Sequence, residues 1–300
     1  MLTPRPNNKW EEKSTFNPAG VVHNDSIQLY YRAVDSRAIS SIGHATITRD
    51  MKIAERPDLP ILFPDHPWEE LGCEDPRITS FDNNYYMLYT AYSRRGPRIA
   101  LAKSVDLRAF EKIGLIGPDL PDKDAALFPE TFDGKLVLIH RIEPSIRLAY
   151  FEVDKFERLA DSSTRSQYWT KYLRELDTHI LMKPQESWEE RKVGLGPPPI
   201  RTSQGWLIIY HGVDKNHVYR AGVALTDLDD PKKIIARSKT YILEPKEAYE
   251  KQGFVQNVVF PEAAMIWEKI LYVFYGAADT ACCVATASLE ELLRWLVEQC

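Results

Sequence analysis

One pattern of short segments occurs five times along the chain, and it constrains the fold more than any other feature. Each copy begins with a proline that opens an apolar stretch. An apolar strand then ends, 12 to 15 residues after the proline, in an aromatic or imidazole ring followed by one variable residue. A further alternating strand completes the copy. The prolines are Pro18, Pro76, Pro129, Pro199 and Pro261, and the variable residues are Arg32, Thr90, Arg141, His211 and Gly276.

This repeat predicts an all-β fold, a five-bladed β-propeller with a short C-terminal helix. No unit can bury both of its faces alone, and radial stacking about an axis satisfies all five. A jelly roll or β-sandwich is the alternative, but neither accounts for five such pairs in register. With 44% hydrophobic residues, the 300 residues can bury one large core, so we expect a single domain over residues 1–300. Helical spacing is clear at the end, where Ser288 caps SLEELLRWLVEQC.

Charge and composition exclude several classes of function. The formal net charge is −5 and the pI about 5.9, so we expect no nucleic-acid and no membrane partner. The first residues, MLTPRPNNKWEEK, contain no apolar stretch, which predicts a cytoplasmic location. No metal or nucleotide motif occurs, so neither a metal site nor an organic cofactor is predicted. The four cysteines, predicted to be reduced and mostly buried, are Cys73, Cys282, Cys283 and Cys300.

The repeat itself nominates site residues, because equivalent inner-strand positions of a propeller converge on its central channel. The variable position supplies three potential cations, Arg32, Arg141 and His211. Among the residues that precede the five prolines, Asp75 is the only carboxylate. The other repeats have Asn17, Phe128, Pro198 and Phe260 at this position. The residues expected to reach the same mouth from neighbouring positions are Lys123, Lys192 and Asp279.

Each candidate also has a purely structural interpretation. Asp75 could cap a turn and pair with Arg77, and Asp279 could close a turn. The two arginines could be surface residues whose stems cover aromatic rings, and His211 could be a core histidine. The acidic pairs Glu69-Glu70 and Glu189-Glu190 are expected to be solvated turns.

Lysine, arginine and histidine around one carboxylate suit an anionic co-substrate beside a general acid. An inverting glycosidase needs a second carboxylate to activate water, about 6.5 to 9.5 Å from the first. In an inverting phosphorylase, inorganic phosphate replaces that water. The second carboxylate is then unnecessary and the cations are necessary.

Ten segments occur in this order: FNPAG, YRAVD, GCEDPRIT, KDAALFPE, HRI, KVGLGPPPI, GWLIIYHGV, YRAGVALTDLDDP, NVVFPEA and YGAADT. Together, from about Trp10 to the end, they resemble the β-mannoside phosphorylases of glycoside hydrolase family 130. The similarity is nearest to relatives acting on β-1,2-mannobiose or β-1,2-oligomannan, and it implies a five-bladed propeller.

The resemblance implies a role for each candidate. Asp75 would be the general acid, acting through the 3-hydroxyl of the mannose. Phosphate, the only co-substrate implied, would be bound by the basic set, and α-mannose 1-phosphate would be the product. The implied phosphate-binding residues are Lys123, Arg141, Lys192 and His211, and those lining the mannose subsite are Asn17, Arg32, Phe260 and Asp279.

Several alternatives stay open from the sequence. The linkage could be β-1,2 or β-1,4, and a homo-oligomer is possible. A hydrolase on the same fold would pair Asp75 with a base, and a noncatalytic glycan-binding propeller would bind without turnover. Asp124, where some relatives carry an amide, would hinder phosphate binding unless it points away or pairs with Lys123. The candidate bases for the hydrolase are Glu130, Glu262 and Asp279.

Overall fold

Short alternating strands pair with their neighbours in sequence throughout the computed structural model, which describes residues 2–299. The architecture is predominantly β. Within the described residues, twenty strands form five successive antiparallel units. A single parallel pairing, Ser40 with Gly72, joins the first two units into one eight-stranded sheet.

The first two units have four strands each. Unit 1 contains β1 (Ser14–His23), β2 (Ser26–Val34), β3 (Ser40–Ile47) and β4 (Ile53–Glu55), and unit 2 contains β5 (Gly72–Phe81), β6 (Asn84–Ser93), β7 (Gly96–Ser104) and β8 (Glu111–Leu115).

The other three units contain four, five and three strands. Unit 3 contains β9 (Lys123–Leu127), β10 (Lys135–Ile142), β11 (Ser145–Glu152) and β12 (Ile180–Met182). Unit 4 contains β13 (Lys192–Leu195), β14 (Ile200–Arg201), β15 (Trp206–Val213), β16 (Tyr219–Thr226) and β17 (Ile234–Arg237). Unit 5 contains β18 (Val259–Trp267), β19 (Ile270–Ala277) and β20 (Ala281–Ser288).

The first strands of the units contact one another. β1 contacts β5, β5 contacts β9 and β9 contacts β13, while β18 contacts both β15 and β1. Apolar clusters fill the space between successive units: Tyr30 and Met87 share one between units 1 and 2, and Leu29 and Phe274 share one between units 1 and 5. Each large side chain buried in this way contributes roughly 2 kcal/mol to stability. Because the apolar surface of one unit is covered by the next, the core is divided among the interfaces.

The ring that precedes the variable residue of each repeat is hydrogen-bonded to a carboxylate that precedes the unit. The sequence analysis expected Glu69 and Glu189 to lie in solvated turns, and this was wrong: both are fully buried. Their burial is tolerated because each carboxylate accepts a hydrogen bond and pairs with a cation. The five pairs are Tyr31 with Glu11 (2.8 Å), Tyr89 with Glu69 (2.5 Å), His140 with Asp122 (2.7 Å), Tyr210 with Glu189 (2.7 Å) and Tyr275 with Glu250 (2.6 Å).

The described residues contain four α-helices and five short 3₁₀ turns. The predicted C-terminal helix is confirmed as α4. The Ser288 hydroxyl caps its N-terminus by accepting a hydrogen bond from the Glu291 amide. Helix α2 was not predicted. Its sequence is largely polar, and it packs onto unit 3 through two aromatic residues, Trp169 and Tyr172, that give only a weak apolar stripe. The α-helices are α1 (Val153–Phe156), α2 (Ser162–Arg174), α3 (Ala248–Lys251) and α4 (Leu289–Glu298), and the 3₁₀ turns are Lys9–Glu11, Pro67–Glu69, Glu157–Ala160, Leu176–His179 and Ser187–Glu189.

Three of the four cysteines are buried, as predicted: Cys73, Cys282 and Cys283. Cys300 lies outside the described residues. Within residues 2–299, none of the helices has the length and apolar character needed to cross a membrane.

Candidate active site

The variable residue of each repeat occupies the same place in its unit, opposite the first strand. Antiparallel pairing aligns the five positions at one register, as the repeat predicted. The pairs are Arg32 with Phe16, Thr90 with Glu74, Arg141 with Lys123, His211 with Gly194 and Gly276 with Phe260.

The prolines do not keep a common register. Asn17 and Asp75 each form a bulge before their proline, with φ of 49° at both. In unit 3 the equivalent bulge is at Asp124, with φ of 55°, because Pro129 falls after the end of β9. Short polar side chains tolerate this left-handed conformation. Phe128 was therefore assigned to the wrong register, and Asp75 is not the only carboxylate at its position, since Asp124 shares it.

All nine side chains that the sequence analysis selected line one pocket. They come from all five units and from the segments between strands. Three further lining residues, Tyr219, Val255 and Val258, were not predicted. The nine selected residues are Asn17, Arg32, Asp75, Lys123, Arg141, Lys192, His211, Phe260 and Asp279.

Asp75 is 2% exposed and is the most heavily bonded carboxylate of the pocket wall. Its Oδ1 accepts hydrogen bonds from Asn17 Nδ2 (2.9 Å) and Arg32 Nη1 (3.2 Å), and its Oδ2 accepts one from Lys123 Nζ (3.1 Å). Burial by itself raises the pKa of Asp75, but the charges of Lys123 and Arg32 outweigh burial and hold this pKa far below its usual range. The carboxylate is therefore ionised among these partners.

Arg32 lies between three acidic side chains. Its Nη2 donates to Glu74 Oε1 (2.6 Å), and its guanidinium stacks 4.8 Å above the Phe16 ring. Burial raises the pKa of Asp279 to about 6, a shift that Arg32 opposes and Asp75 reinforces. Asp279 is thus the pocket carboxyl whose charge changes near neutral pH.

Arg141 and Lys192 share a carboxylate. Arg141 Nη1 (2.5 Å) and Lys192 Nζ (2.8 Å) both donate to Oε1 of Glu143. Arg141 also pairs through Nε with Asp124 Oδ2 at 2.5 Å. Asp124 is fully buried and does not line the pocket, and it pairs with Arg141 and, at 3.6 Å, with Arg77 rather than with Lys123.

His211 is fully buried, and its Nε2 lies 3.7 Å from Asp124 Oδ2. Burial lowers the pKa of His211 well below its usual value, although Asp124 opposes the shift. The ring is therefore neutral at pH 7, which differs from the sequence-based description of His211 as a potential cation. Neither ring nitrogen has a hydrogen-bond partner among residues 2–299, which leaves a donor and an acceptor for a ligand.

Beneath the pocket, Arg77 links several buried groups. Its guanidinium pairs with Glu262 (3.0 Å) and donates to the backbone carbonyls of Leu195 and Gly196. Burial raises the pKa of Glu262 well above its usual value, with Arg77 opposing the shift. Arg77 does not pair with the carboxylate of Asp75, so this alternative for Asp75 is not what the structure contains.

Known proteins of one family resemble this chain over nearly its whole length. The sequence profile of glycoside hydrolase family 130, described as β-1,4-mannooligosaccharide phosphorylase, matches residues 5–298. The chain belongs to this family. The family-130 chain is 40% identical to a β-1,2-mannobiose phosphorylase of Thermoanaerobacter sp. (strain X514), over 97% of this chain and 96% of the relative. It is 38% identical, over the same shares, to a 1,2-β-oligomannan phosphorylase of that organism.

A solved structure gives the same assignment. The family-130 chain superposes on β-1,2-mannobiose phosphorylase from Listeria innocua, in complex with β-1,2-mannobiose, with a TM-score of 0.80 and 26% identity. The superposition covers 95% of this chain and 92% of the other. The resemblance drawn from the sequence segments is therefore confirmed.

The sequence analysis did not select three residues that line the pocket, Tyr219, Val255 and Val258. Tyr219 begins β16, and its ring centroid lies 5.9 Å from that of His211 and 6.1 Å from that of Phe260. Tyr219 begins the alternating strand that completes the fourth repeat, and this position could have identified it as a pocket residue. Val255 and Val258 lie between α3 and β18, where no periodic pattern applies. Among the described residues, no cluster of three or more His, Cys, Asp or Glu side chains is arranged to bind a metal ion.

Proposed function

We propose that this family-130 chain is an inverting β-mannoside phosphorylase. It cleaves a β-mannoside with inorganic phosphate, reversibly, to give α-mannose 1-phosphate and a shortened sugar. The observation that carries the proposal is the reach of Lys123, Arg141 and Lys192 into the same pocket as Asp75. A co-substrate with two negative charges needs such a set, and water does not. The names of the relatives support the same reaction.

The residues that line the pocket divide into two proposed groups. In one, Lys123, Arg141 and Lys192 supply charge for phosphate, and neutral His211 supplies a hydrogen-bond donor. In the other, Asp75 is the general acid. The residues proposed to hold the mannose are Asn17, Arg32, Phe260 and Asp279.

In the proposed reaction, Asp75 gives its proton to the 3-hydroxyl oxygen of the mannose, and that hydroxyl passes its own proton to the glycosidic oxygen. The bond from C1 to the glycosidic oxygen breaks, and the acceptor sugar leaves with the proton. A phosphate oxygen forms the new bond to C1 from the opposite face, which inverts the β anomer to α. Asp75 is left ionised.

The ionised state of Asp75 in the empty pocket is compatible with this role. Lys123 and Arg32 hold its pKa low, and Lys123 is also a proposed phosphate ligand. A phosphate bound near Lys123 offsets the lysine charge, and this raises the pKa of Asp75. Asp75 therefore holds a proton more readily when the co-substrate is present than when it is absent.

We also propose that the five units are the blades of a five-bladed β-propeller forming one domain. The contacts between first strands support it, since they run from β1 through β5, β9 and unit 4 to β18 and back to β1. The convergence of all five units on one pocket agrees with a central channel. The proposed enzyme needs inorganic phosphate and no further cofactor.

For the linkage, we propose β-1,2-mannobiose or short β-1,2-oligomannan. The relatives that are 38% and 40% identical over nearly the whole chain are named for β-1,2 linkages. The description of the family profile, and a relative from Ruminococcus albus that is 30% identical over 74% of this chain, name β-1,4-mannooligosaccharide. A β-1,4-mannoside is therefore the second substrate to test.

A hydrolase would need a base beside Asp75. Glu130 is half-exposed and pairs with Arg201, and Glu262 is fully buried against Arg77. Neither is part of the pocket lining, whereas Asp279 is. Hydrolysis would thus depend on Asp279.

The test is phosphate-dependent turnover of β-1,2-mannobiose, β-1,4-mannobiose and β-1,4-mannosylglucose, with products resolved by NMR. We expect α-mannose 1-phosphate from β-1,2-mannobiose only when phosphate is present. Asp75→Asn should lower this rate by about 10²-fold or more, since it removes the acid. Asp119→Asn, at a carboxylate that is 94% exposed, is the matched control and should leave the rate unchanged.

Free mannose released without phosphate, and lost in Asp279→Asn, would identify a hydrolase instead. Binding of the sugars with no turnover of any of them would identify a glycan-binding protein.

A further inference from the structure

Glu143 holds two of the pocket cations through a single oxygen atom. Its Oε1 accepts hydrogen bonds from Arg141 Nη1 (2.5 Å) and Lys192 Nζ (2.8 Å). Burial by itself raises the pKa of Glu143, but the hydrogen bond from Lys192 and the charge of Arg141 lower it overall. In the empty pocket, an ionised carboxylate oxygen therefore lies on the two cations that an anionic ligand would use.

Glu143 differs from the other carboxylates that bind the pocket cations. Asp75, which binds Lys123, has a side chain only 2% exposed, and Asp124, which binds Arg141, is fully buried. Moving either away would leave a charge buried without its partner, at a high cost. The Glu143 side chain is 62% exposed, so its carboxylate can turn into water at little cost.

We propose that Glu143 is a displaceable internal anion, which occupies the cations in the empty enzyme and yields them to phosphate. This inference rests on the proposed function, because it takes phosphate as the incoming ligand. A phosphate dianion offers more charge and more acceptor oxygens than one carboxylate, so it displaces Glu143 from the two cations. Glu143 is thus a positioning residue that acts through Arg141 and Lys192.

The exchange has two consequences. Arg141 and Lys192 stay close together without a ligand, since the carboxylate offsets their mutual repulsion. Phosphate must also compete with Glu143, which weakens its binding and discriminates against anions of lower charge. Removing only the charge of Glu143 should therefore strengthen phosphate binding.

The test compares Glu143→Gln with the wild-type enzyme. Partly exposed ion pairs are individually weak, so loss of the two contacts should lower the Kd and the KM for phosphate by about fivefold. The KM for the sugar and kcat should change by less than about twofold. A merely structural residue would not change phosphate binding alone in this direction.

Two variants serve as controls, one for the loss of a carboxylate charge and one for the length of the side chain. Glu130→Gln removes a carboxylate of similar exposure that pairs with Arg201 and does not line the pocket, and it should leave the phosphate KM unchanged. Glu143→Asp keeps the charge on a shorter side chain, and the Kd for phosphate should lie between those of the wild type and Glu143→Gln.

Calorimetric titration with inorganic phosphate alone separates the two proposals. Tighter phosphate binding in Glu143→Gln supports the inference even if no β-mannoside is turned over, in which case only the proposed function fails. An unchanged or larger Kd in Glu143→Gln would overturn the inference, even if the wild-type enzyme is a phosphorylase. Failure of the wild-type protein to bind phosphate would overturn both.

Discussion

Lys123 donates a hydrogen bond from Nζ to Oδ2 of Asp75 over 3.1 Å, so a proposed phosphate ligand is also the partner of the proposed acid. The Lys123 side chain is 26% exposed and Asp75 is buried. In the proposed reaction, this contact couples the charge state of Asp75 to the binding of phosphate near Lys123.

Lys123→Gln tests that coupling. We expect the phosphate KM to rise by about tenfold to a hundredfold, since a charge-assisted contact is lost. The pKa of Asp75, which Lys123 helps to lower, should rise toward its usual value. The acid must carry a proton, so the loss of activity on the alkaline side should move to higher pH. Initial rates from pH 5 to 9 measure both effects.

Lys103→Gln is the control for that variant, because Lys103 is similarly exposed and pairs with Glu157 outside the pocket. It should change neither the phosphate KM nor the pH profile. An alkaline limb that moved to lower pH in Lys123→Gln would contradict the coupling.

Asp279→Asn should stabilise the fold at neutral pH. Burial raises the pKa of Asp279 to about 6, from 3.8 for the unperturbed group. Between pH 3.8 and about 6 the folded state binds more protons than the unfolded state, so this group's contribution to stability falls as pH rises through that window. We expect the variant to gain up to about 3 kcal/mol at pH 7.5, and to lose most of that gain at pH 4.

Urea unfolding at the two pH values measures the difference. Asp119→Asn, at an exposed carboxylate, should show no such dependence on pH. A gain of equal size at both pH values would show that the raised pKa is not its cause.

The pair formed by Tyr210 and Glu189 should stabilise unit 4. Tyr210 Oη donates to Glu189 Oε1 at 2.7 Å, and both side chains are fully buried. Tyr210→Phe leaves a buried acceptor with one partner fewer, so we expect a loss of about 1 to 3 kcal/mol in the free energy of unfolding. Tyr92→Phe, at a tyrosine that is 37% exposed, should cost much less.

A double-mutant cycle with Glu189→Gln isolates the contact. Additive effects of the two substitutions would contradict a direct coupling between the ring and the carboxylate.

Leu296 should anchor helix α4 to units 4 and 5. It is fully buried in the cluster that contains Leu207 and Val273. Leu296→Ala should cost about 2 to 5 kcal/mol by denaturant unfolding, because it removes packing and leaves a cavity. Val297→Ala, at the neighbouring residue that is 47% exposed, should cost under about 1 kcal/mol. Equal effects at the two positions would show that α4 is not held by this contact.

The repeat predicted the positions of the variable residues better than those of the residues before the prolines. The ring and the variable residue lie inside a paired strand, where side chains alternate and the pairing fixes each position, so Arg141 and His211 were located correctly. The prolines do not share one position: Pro18, Pro76 and Pro261 lie within β1, β5 and β18, whereas Pro129 and Pro199 lie outside the strands. Phe128 was therefore given the position that Asp124 occupies in unit 3.

The burial of Glu69 and Glu189 could not be predicted from the sequence around them. Glu69 and Glu189 follow tryptophans in short acidic segments that look solvated in sequence. Their burial depends on Tyr89 and Tyr210, about 20 residues away, and on cations still farther along the chain. Local composition contains no signal for such partners.

The sequence by itself determined the five units, the ring and variable pair in each, and the nine side chains that meet in one pocket, because strand alternation and repetition are local properties. Only the tertiary structure decided the charge states: ionised Asp75, neutral His211, and Asp279 with its raised pKa. It also decided which carboxylate holds which cation, including Glu143 on Arg141 and Lys192. Protonation and ion pairing depend on burial and on distances between units, and these exist only after the units have packed together.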